Sequence, residues 1–110
     1  DLTWVRNARV FYWGDLDSNG FAILHTFRSR LPTVESVLME LATLHEYRDL
    51  WVAEPKPARG SYSTLNATEI ETLNALHDAG DVRLEQERIP WDHALSEITR
   101  LIKGSAAPPT

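Results

Sequence analysis

Cysteine is absent from the 110 residues, and methionine occurs once. A chain without cysteine has no disulfide framework, no thiolate zinc site and no cysteine nucleophile, as suits a reducing cytosol. Lysine is nearly missing too, since Lys56 and Lys103 are the only two and both fall in loop or tail contexts. No apolar run approaches the roughly 20 residues that cross a bilayer, and the N-terminus lacks the charged-then-apolar plan of a signal peptide. The chain therefore reads as soluble and cytoplasmic, with no membrane partner. It begins with Asp1 rather than Met, as a piece of a longer protein would. Positive charge is also in short supply. The net charge of −5 argues against a self-sufficient nucleic-acid binder that grips phosphates over a basic face. The balance is uneven: residues 1–30 hold four arginines against three aspartates, whereas residues 31–110 hold seven basic and thirteen acidic residues. With 43% hydrophobic and 25% charged residues, what remains is ordinary globular composition, enough for one domain with a modest core.

The most informative stretch is Val10-Phe11-Tyr12-Trp13-Gly14-Asp15-Leu16-Asp17-Ser18-Asn19-Gly20. Four apolar or aromatic residues read as a strand buried on both faces, and two acids spaced i, i+2 follow where that strand leaves the sheet. This spacing can aim both carboxylates the same way. Two such charges repel and raise one another's pKa unless a cation or a cluster of donors lies between them. From Gly20 an apolar helical stripe runs through Ile23, Leu24, Phe27 and Leu31, and Pro32 stops it. The acid pair is thus expected at a strand-to-helix crossover, beyond the carboxyl end of a strand, where open α/β sheets bind ligands.

Further along, Val34 to Met39 reads as a second strand parallel to the first, and Leu44, Tyr47 and Trp51 line a second helix. Residues 52–64 read as a proline-containing surface loop. Asn66 and Glu69 have the spacing of a helix N-cap and its reciprocal acid, Ile70, Leu73 and Leu76 face the core, and Gly80 ends that helix. Val82 and Leu84 mark a short strand. Pro90 opens a last helix with Trp91, Leu95, Ile98 and Ile102 on one side. The expected fold is α/β, a short, mainly parallel sheet flanked by helices over residues 1–103, with a flexible tail at 104–110.

Three chemistries compete for Asp15 and Asp17. Asp15, Asp17, Asn19 and Gly20 match the start of a calcium EF-hand loop, but its twelfth position must be an acid and here is Thr26, and a strand rather than a helix precedes it. A haloacid-dehalogenase-like phosphatase uses the first acid of a strand-terminal Asp-x-Asp as nucleophile, yet its usual Thr or Val is here Asn19 and its lysine has no obvious counterpart. The third is a Toprim metal site, with the pair holding a divalent cation. The bland alternative is that both acids cap the helix after them.

Residues 12–24 resemble the Asp-x-Asp segment of the Toprim domain in the JetD family, nuclease subunits of Wadjet plasmid-defence systems, and more distantly that of the topoisomerase VI A subunit. Leu38-Met39-Glu40, Thr43-Leu44, Arg48-Asp49-Leu50-Trp51, Glu54-Pro55-Lys56-Pro57 and Arg83-Leu84-Glu85-Gln86-Glu87-Arg88-Ile89-Pro90 resemble the same C-terminal region in the same order. The resemblance implies a Toprim-like domain of a DNA endonuclease that uses Mg²⁺ or Mn²⁺ and acts with SMC-like subunits on double-stranded, circular plasmid DNA. It makes Asp15 and Asp17 the catalytic metal ligands. It also calls for a glutamate on an earlier strand, which this chain does not contain, so the chain alone is expected to be catalytically incomplete and to bind metal fully only within the parent domain.

Glu40 falls at the same sheet edge if the second strand is parallel to the first, as a third metal ligand or as an exposed helix-entry acid. Glu85 and Glu87 form another same-face pair near the site by resemblance, or a solvated edge pair by physics alone. Gly20 belongs beside the acids, and Lys56, Arg59 and Arg88 are candidate phosphate contacts. His45 and Asp49 are spaced for one zinc but read as surface side chains, because the second histidine of a zincin motif is missing. Trp13, Trp51 and Trp91 read as core or interface residues rather than base-stacking platforms. The competing class of function is a non-catalytic interaction or dimerisation module, a homodimer included, that binds through the 52–64 loop and exposed tryptophans.

Overall fold

The computed structural model describes residues 9–105. Among the described residues it is a small α/β unit with two short sheets and four α-helices. Strand β1 (Phe11–Tyr12) leads into helix α1 (Ser18–Arg30), and β2 (Glu35–Ser36) returns parallel to β1, with Phe11 opposite Glu35 and Tyr12 opposite Ser36. Helix α2 (Leu41–Glu46) and a 3₁₀ turn at Arg48–Leu50 follow, then β3 (Val52–Ala53), α3 (Ala67–Asp78), β4 (Val82–Arg83), a second 3₁₀ turn at Gln86–Arg88 and α4 (Trp91–Ser105).

The βαβ crossover expected from the sequence is present, but its strands are short. Leu38 adopts a left-handed backbone (φ 58°) and turns the chain away soon after β2. The second sheet is antiparallel, with β3 against β4, so the parallel character is confined to one pair. Residues 52 and 53 are therefore strand rather than the start of the loop, and Glu54 N–H adds a further rung by donating to Asp81 O at 2.9 Å. The second helix stops at Glu46, short of Trp51, whose indole instead donates back to Leu44 O at 2.9 Å. Helix α4 runs through Ser105, two residues into the stretch read as tail, and residues 106–110 lie outside the described residues.

The core is formed where the helices cover the strand ends. Leu16, Phe21, Leu24, Val37, Leu44, Leu76 and Leu84 are fully buried, each leucine contributing about 1.5–3 kcal/mol by leaving water. The face of α1 that is buried differs from the expected stripe: Gly20, Phe21 and Leu24 pack inward, whereas Ile23 and Phe27 are half exposed. At α3 the capping box is complete, Asn66 Oδ1 accepting from Glu69 N–H and Glu69 Oε1 from Asn66 N–H, both at 2.9 Å. The Glu69 carboxylate also receives two bonds from Arg28 and one from Ser36 Oγ, which ties α1, β2 and α3 together. No helix among the described residues is long and apolar enough to cross a membrane.

Candidate functional site

Between β1 and α1, Leu16 forms an isolated antiparallel bridge with Leu84, each N–H donating to the other's carbonyl at 2.9 Å. Both side chains are buried, so hydrophobic packing fixes the register of that bridge. Asp15 and Asp17 flank Leu16 and are thereby set against the segment 83–86. Asp15 Oδ1 accepts from Gln86 N–H at 2.7 Å. Asp17 Oδ1 accepts from Gly20 N–H at 2.6 Å as the N-cap of α1, and its Oδ2 accepts from Arg83 Nε at 2.5 Å. The close turn needs glycine at position 20, because a Cβ there would lie 2.1 Å from the Asp15 carbonyl oxygen.

A third acid completes the arrangement. Glu54 is buried at the start of α1, with Oε1 accepting from Ser18 N–H and Ser18 Oγ at 3.2 and 2.6 Å, and Oε2 from Asn19 N–H and Asn19 Nδ2 at 3.2 and 2.7 Å. Glu54 and Asp17 between them satisfy the first three N–H groups of the helix, the place where anions settle at helix N-termini. Arg83 Nη2 lies 4.0 Å from Glu54 Oε2, so one guanidinium faces both buried acids.

Electrostatics separate the two acids. Burial pushes the Asp17 carboxyl above its ordinary range, and the Glu54 charge adds to this, while the Gly20 and Arg83 hydrogen bonds pull the other way. Burial acts on Glu54 in the same sense, but its donors at Ser18 and Asn19 outweigh it and hold the carboxyl below the usual value. The hydrogen bond to Asp17 raises Arg83 further, so it stays protonated. Tyr12 is raised by burial and then by the charges of Asp17 and Asp15.

The acids open onto two hollows. One, of about 400 Å³, is lined by Tyr12, Gly14, Asp15, Asp17, Asn19 and Arg83 among others. The other, of about 570 Å³, lies between Trp13, Asp15, Gln86, Glu87, Arg88 and Trp91. Trp13 and Trp91 meet as a tilted pair with ring centroids 6.1 Å apart, and Trp91 is 62% exposed, so of the two places open to it, core or interface, it is not in the core. Trp13 Nε1 is buried without a hydrogen-bond partner among the described residues.

Of the residues named from the sequence, Asp15, Asp17, Gly20, Glu87 and Arg88 line these hollows. Glu40 does not. It starts α2 and lines a separate hollow with Ser36, Asn66, Glu69, Glu97 and Arg100, because the turn at Leu38 carries the chain off the sheet edge before Glu40 is reached. Glu85 precedes the 3₁₀ turn without capping it. Lys56 is exposed and contributes its carbonyl to Asn19 Nδ2, while Arg59 is paired with Asp81. His45 and Asp49 are exposed. Sequence reading missed Glu54 and Arg83 as site residues. The signal for Arg83 was a charged residue enclosed by Val82 and Leu84; Glu54 had only an acid ahead of two prolines.

Tested against a divalent cation, the donor set does not fit as folded. Both Asp17 oxygens and both Glu54 oxygens accept hydrogen bonds, a guanidinium already stands among the acids, and no group of three or more His, Asp or Glu among the described residues is placed to hold a metal ion. Asp15 Oδ2 is the carboxylate oxygen of the trio with no hydrogen bond among the described residues.

No curated protein matches the chain. The family model described as Wadjet protein JetD, C-terminal, matches residues 1–98, and the chain belongs to that family, as a component of a Wadjet defence system.

Proposed function

We propose that this chain is the Toprim-like C-terminal part of a divalent-metal-dependent DNA endonuclease subunit, which cuts double-stranded plasmid DNA in the cytoplasm together with SMC-like partner subunits. The observation that carries the reading is the placement of Asp15 and Asp17 just past the carboxyl end of β1, at a parallel crossover, in a chain of the JetD family. Two carboxylates at such an edge suit Mg²⁺ or Mn²⁺ chemistry on phosphates. The reading requires a further carboxylate from outside the described residues, since Glu40 stands apart and Glu54 is committed to α1. Arg88, exposed beside Asp15, is the cation best placed for a phosphate contact.

The decisive experiment incubates the full subunit and its partner subunits with circular DNA and Mg²⁺ or Mn²⁺. Linear product that Asp15→Asn abolishes supports the reading; intact circles under every metal condition overturn it. A second reading, an interaction or dimerisation module, draws on the half-exposed Ile23, Phe27, Leu95 and Ile102 and the exposed Trp91. It is favoured if the full subunit neither cuts nor binds DNA. The phosphatase reading has less support, because no lysine lines the hollows around Asp15.

A further inference from the structure

The hollow of about 400 Å³ beside the acid pair has a wall that the acid–arginine contacts leave unused. Tyr12, the last residue of β1, stands in it with Gly14, Asp15 and Gln86. The phenol lies back across Gly14. A Cβ at position 14 would fall 2.3 Å from Tyr12 Oη and 2.7 Å from its Cζ, so the glycine gives the hydroxyl end of the ring its room. From the side the ring meets Phe27 of α1, with centroids 5.8 Å apart. The hydroxyl makes no hydrogen bond among the described residues; the two acids beside it take theirs from Gly20, Arg83 and Gln86. Nor is it sealed from solvent, because the buried side-chain polar atom left unbonded among the described residues is Trp13 Nε1. At neutral pH it keeps its proton, since burial and then the charges of Asp17 and Asp15 hold it above the ordinary phenol range. An open O–H donor, given its place by a glycine and an aromatic neighbour, therefore shares the hollow with Asp15.

We propose that Tyr12 binds the DNA backbone, its hydroxyl donating to a non-bridging oxygen of the phosphodiester that is cut. The proposal rests on the DNA-cleaving reading above and takes no step through a metal ion. Tyrosine hydroxyls are among the groups that hold phosphate oxygens, and such contacts position a strand without reading its sequence. A phosphate held there lies at the end of β1 that leads into Asp15. The tyrosine makes and breaks no covalent bond: its oxygen is a donor, not the nucleophile.

The test compares the full subunit with its Tyr12→Phe and Gly14→Ala variants, each assembled with the partner subunits, in the cutting of circular DNA. Phenylalanine keeps the ring against Phe27 and removes only the hydroxyl, whereas alanine keeps the hydroxyl and pushes it from its place. Each variant should cut about 10- to 100-fold more slowly, the loss of one hydrogen bond to a charged oxygen. The thermal midpoint of Tyr12→Phe should match that of the unaltered protein, and the double variant should cut no more slowly than the slower single, because both changes remove the same bond. Tyr12→Phe cutting at the unaltered rate overturns the proposal and leaves the nuclease reading standing. Losses that multiply in the double variant also overturn it, since the two residues then act separately through packing. An unaltered assembly that leaves the circles intact overturns the nuclease reading, and the proposal with it. Should Tyr12→Phe fail to fold, Gly14→Ala decides: slowed cutting at an unchanged thermal midpoint supports the proposal, and any other result overturns it.

Discussion

Two buried acid–arginine pairs hold this molecule together, and they are built differently. At α3, Glu69 receives two bonds from Arg28, one from Ser36 Oγ and one from Asn66 N–H, and these donors outweigh the burial that would raise its carboxyl, so that it lies below the ordinary range. At α1, Asp17 is equally buried but takes one bond from Gly20 and one from Arg83, and burial prevails, leaving its carboxyl above the ordinary range. The ion pair of Glu69 is a closed fork; that of Asp17 is a single bond to a partly exposed arginine. A fully satisfied acid is architecture. An acid with fewer donors, at the edge of a hollow and with its carboxyl raised by burial, is a candidate for function.

The comparison is broken most severely at Glu69. Glu69→Gln leaves Arg28 buried and uncompensated, and urea denaturation should show a loss of about 3–5 kcal/mol. Asp17→Asn keeps the cap, since an amide oxygen can still accept from Gly20 N–H, and removes only a charge pair whose arginine can reach water, so the same measurement should give only about 1–2 kcal/mol. If Asp17→Asn costs as much as Glu69→Gln, the two pairs are equivalent and the distinction fails. Smaller still, Ser36→Ala deletes one of four donors to Glu69 and should cost about 1 kcal/mol.

The last test is of sign. Glu69 has a folded pKa below its unfolded value, so its contribution is present above pH 4.5 and is lost as the pH falls through the folded pKa. Asp17 has a folded pKa above its unfolded value of 3.8, so its contribution is full below that pH and is lost as the pH rises through the folded pKa. On acidification from neutrality, the stability gap between the unaltered protein and Glu69→Gln should narrow, while the gap to Asp17→Asn should move in favour of the unaltered protein. Stability curves that shift in the same direction for both variants would contradict these assignments.

The local features of this fold were legible in the sequence and the distant ones were not. Asn66 and Glu69 are three residues apart, so the capping box is visible in a single turn. The crossover from β1 through α1 to β2 follows from aromatic strand residues, helical spacing and Pro32. The acid pair was visible for the same reason, as an i, i+2 spacing. Its partners were not, because Arg83 lies 66 residues from Asp17, and Glu54 lies 36 residues from Ser18. For Glu40 the sequence left two places open, the sheet edge or an exposed helix entry, and the structure has the second: a leucine carries no signal for the left-handed conformation that Leu38 adopts two residues earlier. The strand at Val52–Ala53 was hidden by the prolines that follow it, and its partner, Val82–Arg83, comes only after the whole of α3.

The Leu16–Leu84 bridge also sets a clock. The segment bearing the acids is synthesised well before the one bearing Arg83, and at about 5–20 residues per second the intervening stretch takes roughly 3–13 s to make. Throughout that interval the nascent chain carries bare carboxylates, and whatever cation is at hand in the cell reaches them before their own arginine exists.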